Sequence, residues 1–242
     1  MKYMNYPDIT IFQEGLNSLG LVLSDLQMQQ FIDYYELLVE RNKIMNLTSI
    51  TEFPEVIRKH FIDSLSIVKA YPLSNEKIID MGTGAGFPGI PLKIVFPEIT
   101  IVLLDSLNKR VLFLEEVINK LGLKNTAAVH GRAEDYAKEI NYREQFDLCV
   151  SRAVAKLATL SEYCLPYVKI GGHFISYKSG KVDEELLLSG NALNILGAEI
   201  ENVENFLLPG TEIDRTLIVI HKNASTPDKY PRSAGKPTKN PL

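Results

Sequence analysis

Two acidic residues, each at the end of a predicted buried strand, suggest the chemistry of this chain. Asp80 follows two apolar residues and opens a glycine-rich loop that extends to Gly89. Glycine loses more conformational freedom on folding than other residues, so a cluster of glycines indicates left-handed backbone or close approach of a ligand. Asp105 ends the next predicted strand, where an acid commonly binds the hydroxyl pair of a ribose. Together they predict a nucleoside-bearing cofactor across the ends of two adjacent parallel strands.

Three details favour S-adenosylmethionine over a nicotinamide dinucleotide, although residues 84–89 also fit the weak pattern G-x-G-x-x-G. The Asp80 carboxylate suits a cationic methionyl group and would repel a pyrophosphate. Phe87-Pro88 stands where a pyrophosphate-binding helix should offer free N–H groups, and proline has none. The segment 129–134 follows a third predicted strand, and its acid and backbone groups suit an adenine edge. A nicotinamide-dependent oxidoreductase on the same sheet stays open as the alternative enzyme.

Composition indicates one sizeable globular domain, with or without an appendage. The chain has 242 residues, of which 45% are hydrophobic, and a formal net charge of −4. No apolar run approaches the ~20 residues of a membrane span, and no leader-like segment is seen, so we expect a cytoplasmic protein without membrane contact. Cys149 and Cys164 lack C-x-x-C spacing and are interpreted as buried thiols, and the four scattered histidines predict no metal site.

Residues 223–242 form a basic, proline-rich tail. Between His221 and Leu242 there are five Lys/Arg residues against one acid, and four prolines interrupt the segment. This composition predicts neither a helix nor a core segment. An extended basic arm suits the phosphate backbone of a nucleic acid, whereas a solvated terminus is the commoner explanation of such a tail.

Hydrophobic periodicity predicts a helical extension over residues 1–72, with helices at 9–20, 25–45 and 54–70, and an N-cap at Ser24. From residue 77 the pattern alternates between strands and helices. Strands are predicted near 77–80, 100–104, 125–129, 146–150, 172–178, 200–208 and 215–221, and helices at 89–96, 107–121, 134–140, 155–168 and 182–196. Gly171-Gly172 is interpreted as the turn into the fifth strand.

These elements predict a three-layer α/β domain over residues 73–222, with a seven-stranded, mostly parallel sheet. The last two strands have no helix between them, which predicts an antiparallel hairpin at the sheet edge, joined around Pro209-Gly210. In such folds the ligand binds at the carboxyl ends of the strands.

The chain resembles the ribosomal RNA small-subunit methyltransferase G family, also called glucose-inhibited division protein B. The matching segments are RNKIMNLT (41–48), HFIDS (60–64), DMGTGAGFPG (80–89), DSLNKR (105–110), GRAE (131–134), SRAV (151–154) and the tail ending at Leu242. The resemblance implies a Rossmann-like class I S-adenosylmethionine-dependent methyltransferase fold. It also implies methyl transfer to N7 of one guanine in 16S rRNA, as free RNA or in the small ribosomal subunit. Ser233-Ala234 departs from the more basic tail expected in this family.

The resemblance places Gly82, Phe87, Ala133, Glu134 and Arg152 where the family binds its cofactor. With the residues of the two strand ends, the predicted cofactor set is Asp80, Gly82, Gly84, Gly86, Phe87, Asp105, Ala133, Glu134 and Arg152. Phe87 stacks on a base, packs against the cofactor or serves only to pack its loop. Arg152, at the end of the fourth strand, is expected to position a reactant, with a surface ion pair as the alternative.

The residues after the fourth strand agree with a guanine N7 acceptor. They contain no Asp/Asn-Pro-Pro-aromatic loop of the kind used for exocyclic amines, and Cys149 lies inside an apolar strand. Guanine N7 loses no proton when it attacks a sulfonium methyl group, so positioning is sufficient and no general base is expected. The rival acceptor is a ribose 2′-hydroxyl activated by Lys178. A factor that binds RNA without catalysis is disfavoured because the glycine and acid set is intact.

Basic residues outside the cofactor set are candidates for RNA contact. These RNA-binding candidates are Arg41, Lys43, His60, Lys178, Arg215 and Arg232. His60 and Asp63 share one helical turn and are expected to orient the N-terminal helices over the site. Charges at such spacing also occur on an ordinary solvated face. No long exposed apolar helix is predicted, so we expect a monomer.

Overall fold

The computed structural model describes residues 8–152 and 155–242, which form a seven-stranded sheet covered by helices. The strands are β1 (Lys77–Met81), β2 (Thr100–Asp105), β3 (Thr126–His130), β4 (Phe146–Arg152), β5 (Val168–Ser179), β6 (Ala198–Leu207) and β7 (Asp214–Lys222). Their order is β3-β2-β1-β4-β5-β7-β6. Strands β1 to β5 pair in parallel, while β7 is antiparallel to both β5 and β6. The predicted mostly parallel sheet with an antiparallel edge hairpin is therefore confirmed.

The helices follow the predicted alternation closely. They are α1 (Thr10–Ser18), α2 (Asp25–Met45), α3 (Phe53–Val56), α4 (Asp63–Leu65), α5 (Gly89–Val95), α6 (Asn108–Leu121), α7 (Ala133–Tyr136), α8 (Leu157–Cys164), α9 (Asp183–Leu196) and α10 (Lys236–Lys239). The predicted cap of α2 is present, because the Ser24 side chain and Gln27 form a reciprocal capping box. Among the described helices, none is long and apolar enough to cross a membrane.

The N-terminal helices pack on one face of the sheet and share its hydrophobic core. Phe12, Phe31 and Phe61 form a ring cluster, with Phe12 and Phe31 edge to face at 4.9 Å. Tyr34 of α2 is fully buried, and its hydroxyl donates a hydrogen bond to the Ala85 carbonyl in the glycine-rich loop. The helical extension therefore fixes the loop from behind.

The helix predicted over residues 54–70 is present, but its hydrogen-bonding pattern is irregular. α3 continues into a π-helical turn, Ile57–Ile62, which is followed by α4 and a 3₁₀ turn, Ser66–Lys69. A π turn accommodates an extra residue, and such turns are frequent at functional sites. Here the irregular segment contains His60 and leads directly into Asp63.

The interpretation of Gly171-Gly172 as the turn into the fifth strand is wrong. β5 begins at Val168, because Phe146 of β4 already pairs with Val168 before the register shifts and Leu148 pairs with His173. The two glycines lie in the resulting bulge. Gly171 has φ +82°, and a Cβ on Gly172 would lie 2.6 Å from the Asp147 carbonyl oxygen.

The opposite face of the sheet is covered by α8 and α9, where Cys149 and Cys164 are both free and buried as expected. The tail packs against this layer, so the expectation of an extended arm without helix is wrong. Tyr230 and Pro237 are buried, and Lys236–Lys239 forms one helical turn. The tail is bound through an ion pair between Arg232 and the buried Glu162. The composition of the tail could not indicate this pair, because Glu162 lies 70 residues away in the chain.

Candidate active site

Asp80 organises the glycine-rich loop from beneath. Its carboxylate is fully buried, and Oδ2 accepts hydrogen bonds from the Thr83 hydroxyl at 2.6 Å and the Gly89 N–H at 2.8 Å. Burial raises the pKa of Asp80 to about 7, although these two hydrogen bonds oppose the shift. Oδ1 has no hydrogen-bond partner among the described residues, which is costly for a buried oxygen. One acceptor at the end of β1 is thus left available.

The glycines of the loop have different roles. A Cβ on Gly86 would lie 2.6 Å from an Ile90 side-chain carbon and 2.8 Å from the Tyr34 hydroxyl, so this position needs glycine for packing. Gly89 is equally constrained by Leu103. Gly84 differs, because its φ is +63° and a Cβ there would meet no described atom within 4 Å. The backbone at Gly84 therefore faces open space, as a ligand-binding loop requires.

Asp105 joins the end of β2 to this loop. Its Oδ2 accepts the Gly84 N–H at 2.9 Å, its Oδ1 accepts the Leu107 N–H at 2.9 Å, and Arg110 lies 3.3 Å from Oδ2. Each carboxylate oxygen offers more than one acceptor site, so these bonds leave capacity for a ligand hydroxyl. The Asp105 carboxylate is therefore held between the glycine-rich loop and the start of α6.

A cavity of about 200 Å³ opens beside Asp105, at the carboxyl ends of β1, β2 and β3. It is lined by Met81, Gly82, Leu104, Asp105, Ser106, Gly131, Arg132, Ala133, Glu134 and Tyr163. We call it the first cavity. Glu134 is largely buried as a residue, and its carboxylate has no hydrogen-bond or ion-pair partner within residues 8–152 and 155–242. Because Glu134 lines the cavity, its oxygens are accessible as acceptors for a ligand with an amino group or ribose hydroxyls.

Arg152, at the end of β4, is held by the N-terminal segment. Its Nη1 donates to Asp63 Oδ2 at 2.9 Å and to the Lys59 carbonyl at 3.0 Å. Its guanidinium carbon lies 5.1 Å from the centroid of the Phe87 ring, and that ring stacks on His60 at 4.4 Å. Arg152 is thus oriented by a carboxylate, a carbonyl and an aromatic face.

A second cavity, of about 320 Å³, lies at the carboxyl ends of β4 and β5. It is lined by Ile50, Lys59, His60, Asp63, Arg152, Ala155, Leu160, Tyr177, Lys178, Ser179 and Arg215. Asp63 also accepts a hydrogen bond from Arg215 at 2.6 Å, and Lys178 pairs with Glu185 at 2.6 Å. The cavity is therefore cationic, with its carboxylates already engaged.

His60 stands in the second cavity as a neutral side chain. Burial, together with the charge of Arg152, lowers its pKa to about 4. At neutral pH the imidazole therefore adds no positive charge. Tyr177 lines the same cavity, and its buried hydroxyl donates to the Ser64 carbonyl at 2.8 Å.

The residues predicted from sequence divide between the two cavities. Gly82, Asp105, Ala133 and Glu134 line the first cavity, whereas Arg152 lines the second. Four members of the predicted cofactor set line neither cavity: Asp80, Gly86 and Phe87 are buried around the loop, and Gly84 is half-buried in it.

Three of the RNA-binding candidates, His60, Lys178 and Arg215, converge with Arg152 in the second cavity. The other three lie elsewhere: Arg41 donates to Glu116 at 2.8 Å, Lys43 is exposed near the end of α2, and Arg232 pairs with Glu162 of α8. Ala153 and Val154 of the SRAV segment lie outside the described residues.

Sequence reasoning missed Tyr163, Arg132 and Tyr177. Arg132 lies inside the GRAE segment and could have been found as part of that motif. The two tyrosines carried no signal, because one lies in an apolar helix and the other in an apolar strand.

The sheet order, the glycine-rich loop between β1 and α5, and the acid at the end of β2 are those of the class I S-adenosylmethionine-dependent methyltransferase fold. A structure titled as a SAM-dependent methyltransferase from Aquifex aeolicus superposes with a TM-score of 0.51 at 19% identity, covering 69% of this chain and 93% of that chain. The fold class expected from sequence is confirmed.

The family follows from sequence comparison. The model of the family described as rRNA small subunit methyltransferase G matches residues 27–217. Ribosomal RNA small subunit methyltransferase G of Lachnoclostridium phytofermentans is 57% identical over 97% of this chain and 98% of its own length. The protein of that name from Acetivibrio thermocellus is 53% identical over 95% and 94%. The chain belongs to the rRNA small subunit methyltransferase G family, as the resemblance implied.

Proposed function

We propose that this protein transfers a methyl group from S-adenosylmethionine to N7 of a guanine in small-subunit ribosomal RNA. The observation that carries the proposal is the pairing of two different cavities at the ends of adjacent strands. The first has unsatisfied acceptors for a nucleoside, and the second is a cationic cavity of about 320 Å³. Its relatives bear the name of an rRNA methyltransferase, which supports the same acceptor class.

The first cavity is the proposed cofactor site. Asp105 binds the ribose hydroxyls, and Glu134 accepts from the adenine amino group or the ribose. The Asp80 carboxylate does not line the cavity, but it lies buried beneath the glycine-rich loop and is the proposed counter-charge for the cationic methionyl part. When bound, the cofactor supplies an electrophilic methyl group on a positively charged sulfur.

The second cavity is the proposed acceptor site for the base. Guanine presents O6 beside N7 on one edge, and arginine and lysine donate to O6 or to an adjacent phosphate, which leaves the N7 lone pair free to attack the methyl group. Arg152 and Arg215 are fixed by the shared carboxylate of Asp63, so their donors are oriented before the base enters. A pre-formed arrangement lowers the entropic cost of placing N7 in line with the methyl group.

The contacts in the second cavity favour N7 over a ribose hydroxyl. Attack by N7 releases no proton, so the site needs no base. A 2′-hydroxyl acceptor would need a base such as Lys178. That side chain is already engaged, because it pairs with Glu185 at 2.6 Å and donates to the Ala155 carbonyl at 2.8 Å. The neutral His60 is a weak base because burial lowers its pKa to about 4.

The proposal extends to the setting of the reaction. The acceptor is 16S rRNA, free or within the small subunit, which places the protein in the cytoplasm. N7 attack on a sulfonium methyl group requires no Lewis acid, so we include no metal in the mechanism. We propose a monomer as the active unit.

The proposed function is tested by methyl transfer from labelled S-adenosylmethionine to small ribosomal subunits that lack their native N7-methylguanine. Cleavage chemistry specific for N7-methylguanine then locates the product. Label with cleavage at one guanine supports the proposal. Label without cleavage moves the acceptor to another atom, and absence of label with cofactor bound removes the acceptor assignment.

A further inference from the structure

Of the described residues that line the first cavity, one is aromatic, and it is Tyr163. It lies near the end of α8 and is half-buried. Its hydroxyl is 3.2 Å from the Thr238 hydroxyl, in the one-turn helix of the C-terminal tail. Because Tyr163 also lines the first cavity, one side chain connects the tail to the proposed cofactor site.

The neighbouring residue, Glu162, anchors the tail. Its carboxylate is fully buried and accepts the Arg232 backbone N–H at 2.8 Å, Nε at 2.9 Å and Nη2 at 2.6 Å. A bidentate arginine–carboxylate pair with an added backbone bond is among the strongest polar contacts in proteins. The Arg232 guanidinium also donates to the Asn240 carbonyl at 2.8 Å, which closes the tail into a compact loop.

Further contacts attach both ends of this loop. Thr159 of α8 donates to the Pro237 carbonyl at 3.1 Å, one turn of helix before Tyr163. Where the tail begins, Arg143 donates to the Thr226 carbonyl at 2.8 Å and the Tyr230 carbonyl at 3.0 Å. Residues 226–240 are thus fixed to Arg143 and to α8, the helix that contributes Tyr163 to the first cavity.

We propose that the C-terminal tail is a latch that sets the Tyr163 ring against the adenine of bound S-adenosylmethionine. Tyr163 contacts the cofactor, while Arg232 and Thr238 are positioning residues that act through α8. The Arg232 guanidinium is neutralised by Glu162. In this proposal Arg232 therefore supports cofactor binding and does not contact an RNA phosphate. The inference rests on the proposed placement of the cofactor in the first cavity.

The direct test uses the absence of tryptophan from this chain. In Tyr163→Trp the new indole is the sole tryptophan, and adenine stacking on it quenches its fluorescence. We expect titration with S-adenosylhomocysteine to reduce the emission with the same dissociation constant that calorimetry gives. Binding by calorimetry with unchanged emission would overturn the contact between Tyr163 and adenine.

The latch is tested by substitutions in the full-length chain, one in α8 and one in the tail. Tyr163→Ala should weaken S-adenosylhomocysteine binding by roughly tenfold. Thr238→Val, which removes only the hydroxyl, should weaken it by roughly two- to fivefold. Both should raise KM for S-adenosylmethionine and leave KM for the ribosomal subunit unchanged. The matched control is Lys236→Ala with Lys239→Ala, which removes two exposed tail charges and should leave cofactor affinity unchanged.

The outcomes separate the latch from the cofactor placement itself. If Asp105→Ala weakens cofactor binding while Tyr163→Ala and Thr238→Val do not, the latch is wrong and the first cavity stands. If none of the three changes affinity, the cofactor placement fails. If Thr238→Val changes KM for the ribosomal subunit and not for the cofactor, the tail contacts RNA instead.

Discussion

Asp63 and Arg152 form an ion pair with an Nη1–Oδ2 distance of 2.9 Å although they are 89 residues apart in the chain. The same carboxylate pairs with Arg215 at 2.6 Å, so one acid of the N-terminal segment joins the ends of β4 and β7. All three side chains are largely buried. The helical extension is therefore part of the second cavity, because without Asp63 two guanidinium groups would share that cavity with no counter-charge.

Asp63→Asn should destabilise the fold and disorder Arg152. Removal of one partner from a buried ion pair costs about 3 kcal/mol, because the remaining charges stay desolvated. Glu55→Gln is the matched control, since Glu55 pairs with Arg58 and Lys59 on the protein surface, and it should cost less than ~1 kcal/mol. Urea unfolding measures both values. Equal losses of unfolding free energy in the two variants would contradict a structural role of the buried Asp63 ion pairs.

Gly84→Ala should weaken cofactor binding more than it weakens the fold. Gly84 and Gly122 have nearly the same φ, +63° and +64°, and a Cβ at either position meets no described atom within 4 Å. Alanine in this left-handed region costs roughly 1–2 kcal/mol at each site. We expect similar losses of stability in Gly84→Ala and Gly122→Ala, with loss of S-adenosylmethionine affinity in Gly84→Ala alone. If both variants bind the cofactor normally, the loop does not contact it.

Asp105→Ala should weaken S-adenosylmethionine binding by ~1–3 kcal/mol, roughly ten- to a hundredfold, because a ribose hydroxyl loses its acceptor. Asp147→Ala is the control at the opposite end of the sheet. Asp147 also accepts a backbone N–H, from Lys77 at 2.7 Å, and pairs with a lysine. Calorimetry should give wild-type affinity for Asp147→Ala. Unchanged affinity in Asp105→Ala would remove that residue from the site.

His60 should make stability fall as the solution becomes acidic. Its pKa in the folded protein, about 4, lies below the ordinary value of 6.5, so the unfolded chain binds the proton first as pH falls. The stability contribution is present above pH ~6.5 and is lost between there and pH ~4. Over this window the wild type should lose on the order of 2–3 kcal/mol more than His60→Gln. Parallel pH profiles of the two proteins would contradict the buried neutral state.

The elements of the sheet could be predicted because buried parallel strands are nearly continuous apolar runs with glycines at their ends. The roles of individual glycines could not. Gly84 and Gly86 belong to one motif, yet only the positions of Tyr34 and Ile90 show that Gly86 is needed for packing. Neighbours of this kind come from distant segments and leave no local pattern.

The polar partners of the site were equally hidden. Arg152 was predicted to position a reactant, but its link to Asp63 and Arg215 spans three segments of the chain. Glu162 appears in the sequence as an ordinary residue of an apolar helix, and only its full burial explains why a basic, proline-rich tail folds back through Arg232. The composition of a segment predicts its average exposure to solvent. It does not reveal a single ion pair, such as that between Glu162 and Arg232, that binds the segment to the core.

The most direct test of the central claim replaces the acceptor atom itself. Small subunits are assembled with 7-deazaguanine at the guanine found by N7-specific cleavage, which exchanges N7 for a carbon and keeps the ribose hydroxyl. We predict that the enzyme binds these subunits with normal affinity and transfers no methyl group at that position. Transfer at the normal rate would contradict N7 as the acceptor and would assign the reaction to another atom, the 2′-hydroxyl first.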